Sequence, residues 1–380
     1  MILLGRTGVL QFQNGSAIAD QASLIAEALL APPTGSQYEV WLTNEDERIS
    51  LGILTLDETG RGVLTFTQEQ GVNLISLYDS VEVTIEPNPD SGPKTSGIVA
   101  YSFTLPAEGL THVRYLLSSF PNTPNENALI QGLYTDIKTI NELAKEMQKA
   151  SDSGNKDRAF LNAEAIHNII VGDQSPIHKD LNNDGQVDDP SDGFGLLLNG
   201  RNLGYLPAIY TEADSTVNSP GASQQMITYG EGLKTSVQNL AGWTPQLQDL
   251  ITAIINSSTV SDMKQPITEA VALTDKMLNG VDLDADGNIE PEPGEGGAQV
   301  ASDQAYHMAD MPLRPVGILN IGTGTPTFIV VAPTISGGGG GSGGGGPAVS
   351  TARPKPTQKP RPTKKPGNNN NNNNNNSNNN

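Results

Sequence analysis

The stretch at residues 38–67, YEVWLTNEDERISLGILTLDETGRGVLTFT, consists of short apolar runs separated by polar turns. The runs are rich in β-branched and aromatic residues, several of them alternate with a period of two, and no helical periodicity intervenes. Five runs share this character: 38–43, 49–56, 62–67, 81–86 and 97–104. The pattern predicts an antiparallel β-sandwich over residues 1–105.

These residues also resemble a known family. The stretches APPTGSQYEVWLTNEDERISLGILTLDETGRGVLTFT and VEVTIEPNPDSGPKTSGIVAYS are similar to the extracytoplasmic C-terminal domain of anti-sigma-K factors. The resemblance covers residues 8–105 and implies a β-sandwich that works outside the membrane. The sigma-binding helices and the membrane span that precede this domain in that family are not in this sequence, so regulation of a sigma factor is not carried over.

After Pro106 the pattern becomes helical. Apolar residues recur at three- and four-residue spacing in NENALIQGLYTDIKTINELAKEMQKAS and NKDRAFLNAEAIHNIIVG, and again over some ten turns from Ser223. Asn155 and Ser261 are predicted helix caps, and Gly172 and Gly280 are predicted helix stops. We therefore expect an all-α domain over residues 106–312.

The order of predicted elements in this helical region occurs twice. Two helices, an acidic loop and a helix fill residues 125–218, and the same order returns over residues 222–311. An internal duplication is the predicted origin. The alternative is that two similar turns arose by coincidence in one helical bundle.

Two acidic loops, beginning at Asp180 and Asp282, carry the strongest chemical signal. Calcium takes six to eight oxygen ligands, and a loop that curls around the ion offers a side chain at every second residue. A glycine at the sixth position, Gly185 or Gly287, permits the sharp bend. The predicted ligands at positions one, three, five, seven and nine are Asp180, Asn182, Asp184, Gln186 and Asp188 in the first loop, and Asp282, Asp284, Asp286, Asn288 and Glu290 in the second.

Both loops depart from the calcium motif at its end. The motif expects an acid at position twelve, where this chain has Ser191 and Pro293. We expect Asp192 and Glu295, one and two residues further on, to close the two sites. The alternative interpretation is a pair of ordinary turns at helix ends. Ordinary turns would not require three oxygen acceptors at alternate positions, and both loops have them.

The loops resemble known sequences as well. DLNNDGQVDD is similar to dockerin-type calcium loops, although the acid at position twelve and the Leu-rich helix of dockerins are missing. Residues 106–312 as a whole resemble the helical, calcium-loop region of uncharacterised extracytoplasmic proteins of Chloroflexi-type bacteria. That family implies no assigned chemistry.

The charge distribution favours cations as partners and argues against nucleic acid. The net charge is −20, and seven of the 22 Lys and Arg residues follow Asp310, whereas all 42 acidic residues lie at or before it. The first 310 residues thus hold 15 basic against 42 acidic residues, a net charge of −27. The absence of cysteine excludes disulfides and thiolate metal sites.

The location is predicted from calcium chemistry. The first residues offer only a three-residue apolar run before Arg6, so no export signal is visible, and no stretch has the length of a membrane span. Loops of this class bind calcium too weakly to act in a cytoplasm kept at submicromolar calcium. We therefore expect a secreted or surface-held protein, with the export signal outside this chain.

No catalytic motif survives comparison with a simpler explanation. Glu164 and His167 lie three residues apart on one helix face and would suit a metal, but a core histidine explains the pair better. Tyr306 and His307 admit only a weak hypothesis of a site shared with His167. The sequence predicts no catalytic residue and no enzyme.

The last segments have their own character. A short β-like segment is expected over residues 313–335, followed by a disordered tail of Gly, Pro, Lys and Asn over residues 336–380.

The predicted fold class is thus α+β and multidomain: a β-sandwich, then a duplicated all-α domain with two EF-hand-like or dockerin-like loops, then the tail. The predicted function is a calcium-binding structural or interaction protein whose partner is another envelope protein or, through the basic tail, an anionic cell-wall polymer; self-association stays open. The alternative is a sensory domain of an anti-sigma-factor-like envelope stress system.

Overall fold

The computed structural model describes residues 7–89 and 94–316, together with the backbone of two short strands at 318–320 and 327–329. The predicted tail at 336–380 lies outside the described residues. Within them, sheets dominate up to Leu105 and helices dominate from there to Met308, as an α+β chain requires.

Two antiparallel sheets form the N-terminal part. One has the strand order β5-β2-β1-β8, and the other has the order β4-β3-β6-β7-β9. All five predicted strand runs are confirmed, and β1 and β2 add a further hairpin. The strands are β1 Gly8–Gln13, β2 Gln21–Ala26, β3 Ser36–Thr43, β4 Arg48–Leu54, β5 Gly62–Thr67, β6 Ser80–Pro87, β7 Val99–Thr104, β8 Met311–Pro312, β9 Arg314–Pro315, β10 Ile318–Asn320 and β11 Thr327–Ile329.

The helical part begins directly after β7. Its long helices bury one face, which agrees with their apolar spacing: in α3, for example, Leu133, Ile137, Ile140 and Ala144 are all buried. The helices are α1 Leu74–Leu77, α2 Ala107–Leu117, α3 Leu129–Asp152, α4 Lys156–Val171, α5 Tyr205–Val217, α6 Gln224–Ile255, α7 Val260–Asn279 and α8 Ala298–Met308. In the part of the chain that the structure describes, no helix combines the length and apolarity needed to cross a bilayer.

The helix ends agree with the predicted cap of α4 and with both predicted glycine stops. Asn155 caps α4 by accepting a hydrogen bond from the backbone N–H of Arg158, and Gly172 and Gly280 end α4 and α7 with φ of 73° and 84°. The predicted cap Ser261 was wrong by two residues. Thr259 caps α7 instead, in a reciprocal capping box with Asp262.

One hydrophobic core runs through both parts. It includes Leu10 and Val83 from the two sheets as well as Ile137 and Leu240 from the helices. The chain also returns from α8 to the sheets, because Met311–Pro312 pairs with β1 and Arg314–Pro315 pairs with β7. The start of the predicted β-like segment therefore docks on the sheets.

Candidate metal centres

The first acidic loop, residues 180–188, follows α4 and is folded around one carboxylate. The two oxygens of Asp180 accept hydrogen bonds from the backbone N–H groups of Asn183, at 2.6 Å, and Gly185, at 2.9 Å. Asn183 and Gly185 have φ of 63° and 92°, which are left-handed conformations. The backbone therefore curls over Asp180, as the glycine at position six predicted.

The second loop, residues 282–290, has the same conformation. Asp282 accepts hydrogen bonds from the backbone N–H groups of Ala285, at 2.6 Å, and Gly287, at 2.9 Å. The φ angles of Ala285 and Gly287, 63° and 93°, match those of the first loop. Two stretches about a hundred residues apart thus adopt one local structure, although their origin by duplication stays a prediction.

A buried glutamate holds the first loop from outside. Glu164, on α4, is fully buried, and its carboxylate accepts hydrogen bonds from the backbone N–H groups of Leu181, Asn182 and Asp188. These bonds of 2.8 to 2.9 Å tie the start of the loop to its ninth position. Sequence spacing pairs Glu164 with His167 and does not connect it with the loop.

Glu295 holds the second loop in the same way. It is 3% exposed, and its two oxygens accept hydrogen bonds from the backbone N–H groups of Leu283, at 2.9 Å, and Glu290, at 3.3 Å. Leu283 and Glu290 are the second and ninth positions of their loop, as Leu181 and Asp188 are of theirs. Glu295, predicted to close this loop, therefore does lie against it.

The second loop gathers carboxylate oxygens at metal-binding distances. One oxygen from each of Asp282, Asp284 and Glu295 lies within 4.8 Å of the other two. Calcium holds its ligands at about 2.3 to 2.6 Å, so oxygens on opposite sides of one ion are about 5 Å apart. The three carboxylates are thus close enough to share an ion. In the first loop Asn182 stands in the place of Asp284 and offers an amide oxygen.

The ninth position of each loop is electrostatically crowded. Desolvation and the nearby carboxylates of Glu164 and Asp184 raise the pKa of Asp188. Desolvation, Asp286 and Glu295 likewise raise the pKa of Glu290. One oxygen of Asp188 is also buried without a hydrogen-bond partner among the described residues. Like charges brought this close are unfavourable, and a bound cation would relieve the repulsion.

The remaining predicted ligands lie on the exposed side of each loop. Asp184 accepts a hydrogen bond from the backbone N–H of Gln186, and Asp286 accepts one from Asn288. These bonds shape the turn at positions five to seven. Ligation through the backbone carbonyls at position seven stays a prediction.

Asp192 has other partners. One of its oxygens accepts a hydrogen bond of 2.6 Å from the hydroxyl of Tyr205, and the other accepts one from the backbone N–H of Phe194. Its charge also contributes to a raised pKa at Asp136. The carboxylate that the structure brings to the first loop is Glu164.

The four histidines sit in four separate settings. His112 pairs with Glu212, His178 with Asp189, His307 with Asp310, and His167 with the backbone carbonyl of Ile177. Burial lowers the pKa of His167, which fits a core histidine.

Comparison with known proteins identifies the sheet region alone. Residues 5–98 match the family model described as anti-sigma-K factor rskA, C-terminal, which confirms the resemblance predicted for residues 8–105. No curated protein and no solved structure matches the chain. Over about a quarter of its length, this chain is therefore similar to the C-terminal domain of anti-sigma-K factors.

Proposed function

We propose that this chain is a sensory or interaction module of an anti-sigma-factor-like envelope system. The observation that carries the proposal is the family match over residues 5–98, which covers most of the two sheets. The helical part is built onto those sheets through β8 and β9. A conformational change in the helical part would therefore be transmitted to the sheets through β8 and β9 and through the common hydrophobic core.

We further propose that two calcium ions make the helical part rigid. The support is the repeated loop geometry: a curled acidic loop, a left-handed glycine at position six, and one buried glutamate that bridges positions two and nine. The ligand set is the ten predicted loop residues together with Glu295, and Glu164 takes the place of Asp192 in the first loop. Oxygen-only ligands of this kind suit a hard cation.

The loops are well placed to lock helices together. Asn168 of α4 donates to the backbone carbonyl of Asp188 in the first loop and accepts from the backbone N–H of Lys179, just before it. Asn239 of α6 donates to the backbone carbonyl of Glu292 and accepts from the backbone N–H of Gly294, both just after the second loop. An ion in each loop would therefore stiffen the junctions between α4 and α5 and between α6, α7 and α8.

The proposed location is extracytoplasmic. Calcium loops of the extracellular class have dissociation constants of about 10⁻⁴ to 10⁻³ M, so they fill only where calcium is abundant. The family match to a domain of anti-sigma-K factors agrees with an envelope role. The proposed partner is another envelope protein or, through the basic tail, an anionic wall polymer.

Calcium binding is tested by isothermal titration into the chelator-stripped 380-residue chain, with thermal unfolding in parallel. The whole chain is needed because the core and the strand pairs join residues before 106 to those after it. We expect two sites and, at ten times the dissociation constant, about 1.4 kcal/mol of stabilisation per site. If the titration releases no heat and calcium does not shift the melting temperature, the two loops are ordinary surface turns and bind no calcium.

The regulatory role is tested in the cells that make the protein. RNA sequencing after deletion of the coding sequence should show a coordinated change in the genes of one sigma factor, and restoring the intact chain should reverse it. No such change, with calcium binding intact, would instead favour a purely structural surface protein.

A further inference from the structure

A polar cleft opens between the sheets and the helices, away from the acidic loops. Its larger part has a volume of about 650 Å³ and lies between the β1–β2 turn, α3 and α8. A smaller part of about 250 Å³ continues along β1 and α8. The two share Asn14, Gln299, Ser302 and Tyr306 as wall residues, so they form one groove. Together they have the size of a small-molecule site at a junction between structural units.

The walls carry hydrogen-bonding groups that the protein does not use. The side chains of Gln13, Gln131, Tyr134 and Ser302 line the groove and form no hydrogen bond with any other described residue. Each amide offers two donors and an acceptor oxygen, and each hydroxyl offers both roles. Groups of mixed donor and acceptor character suit a ligand that also carries both, such as a polyol.

The groove has few charged walls for a chain with strong negative charge: Lys138, Glu142, Asp303, His307 and Asp310 line it. In the larger part, Lys138 and Glu142 form an ion pair at 4.0 Å. In the smaller part, Asp310 is paired with His307 at 3.1 Å and with the amide of Gln11. The charges within these two pairs cancel, and Asp303, which accepts a hydrogen bond from Gln299, adds one carboxylate, so the walls do not attract an anionic ligand.

Two aromatic rings complete the site. Tyr134 and Tyr306 are both half-buried, which leaves part of each ring open to the groove. The hydroxyl of Tyr306 binds the side chain of Asn14, which fixes that ring against the β1–β2 turn. Half-exposed tyrosines offer a rigid apolar face next to a polar tip, and the flat face of a sugar ring matches this combination.

We propose that this groove binds a neutral oligosaccharide. Amide and hydroxyl groups from the β1–β2 turn, α3 and α8 would bond its hydroxyls, and the two tyrosines would contact its apolar ring faces. The proposal goes beyond the calcium loops and the regulatory role, and it needs neither of them. Because the groove has one wall on the sheet region and two on the helices, an occupant would join both parts of the chain.

The test uses the calcium-saturated 380-residue chain and uncharged tetrasaccharides of glucose, mannose, galactose and N-acetylglucosamine. Saturation-transfer NMR identifies binders, and isothermal titration measures their affinity. We expect at least one tetrasaccharide to bind, and Q131A and S302A each to weaken it at least fivefold. Gln246→Ala, an exposed amide on α6 outside the groove, should leave the affinity unchanged.

Tyr134→Ala should abolish binding, with circular dichroism as the check on folding. If that variant unfolds, the affinity of Q131A decides the outcome, because Gln131 is exposed and its replacement leaves the core intact. The proposal is overturned if no tetrasaccharide binds, if only an anionic wall polymer binds, or if the Q131A/S302A double variant binds as tightly as the parent chain.

Discussion

Glu164 and Glu295 perform the same task in two different loops. Glu164 lies 17 residues before its partner Leu181, whereas Glu295 lies 12 residues after its partner Leu283. Each glutamate is buried and bridges the second and ninth positions of an acidic loop. The buried acid that contacts each loop thus comes from opposite directions along the chain.

The first prediction concerns these two glutamates. Glu164→Gln keeps the side-chain volume and removes a charge, so it should weaken calcium binding at the first loop by about 10- to 100-fold while the second site keeps its affinity. Glu295→Gln should have the converse effect. Calcium titration resolves the two sites by comparison with the unmodified chain.

Two controls make this result specific. Glu58→Gln removes an exposed acid in a sheet turn and should change neither site. Asp192→Asn should also spare both affinities, because that carboxylate is engaged with Tyr205 and Phe194. A large loss of affinity in D192N with none in E164Q would return the closing role to Asp192.

A second prediction concerns the left-handed glycines. Gly185 and Gly287 have φ above +90°, and a Cβ there would meet nothing within 4 Å, so replacement by alanine costs only backbone strain. We expect G185A and G287A each to lower the free energy of unfolding by about 1 to 2 kcal/mol. Urea denaturation measures it.

Gly242 is the matched control. It lies inside α6, is exposed, and a Cβ added there would likewise meet nothing within 4 Å. Gly242→Ala should therefore stabilise the chain by up to about 1 kcal/mol. Opposite signs for the two kinds of glycine are the expected result, and equal signs would contradict the left-handed geometry of the loops.

Local signals in the sequence were sufficient for much of this architecture. Period-two runs gave the strands of residues 38–104, and three- and four-residue spacing gave α3, α4, α6 and α7. The alternating acidic residues predicted the positions of both loops, because the ligand spacing and the glycine at the bend lie within about ten consecutive residues.

Features that depend on tertiary contacts were not visible in the same way. Glu164 reaches its loop across a helix end, and no spacing rule links it to Leu181. Strands β8 and β9 have two residues each, too short to show a period. The groove brings Asn14 beside Tyr306, two residues 292 positions apart, and only the folded chain shows such a pair.

A third prediction distinguishes the true cap of α7 from the expected one. Thr259→Ala removes the side chain that accepts the hydrogen bond from the backbone N–H of Asp262, so it should cost about 1 kcal/mol of stability. Ser261→Ala changes an exposed side chain within the first turn and should stay within about 0.5 kcal/mol of the parent. The reverse order in urea denaturation would move the start of the helix to Ser261.

The last prediction concerns Asp136, a carboxyl group inside the helical part. Asp136 is 3% exposed, and one of its oxygens has no hydrogen-bond partner among the described residues. Burial, followed by the charges of Asp192 and Asp189, raises its pKa to about 8. In the unfolded chain an aspartate has a pKa of about 3.9.

The sign of the pH dependence follows from these two values. Between pH 4 and pH 8 the native chain holds a proton on Asp136 that the unfolded chain has lost, so raising the pH through this window lowers the free energy of unfolding. Asp136→Asn imitates the protonated form and removes this loss. Between pH 5 and pH 8 the stability of the variant should rise by about 3 to 4 kcal/mol relative to that of the parent.

Urea denaturation at saturating calcium from pH 5 to pH 9 measures this difference. Asp249→Asn, an exposed aspartate on α6, is the control and should run parallel to the parent at every pH. If the free energy of unfolding of D136N has the same pH dependence as that of the parent, Asp136 is ionised in the native protein. The free-energy cost of burying the charged aspartates around Tyr205 is then smaller than their burial implies.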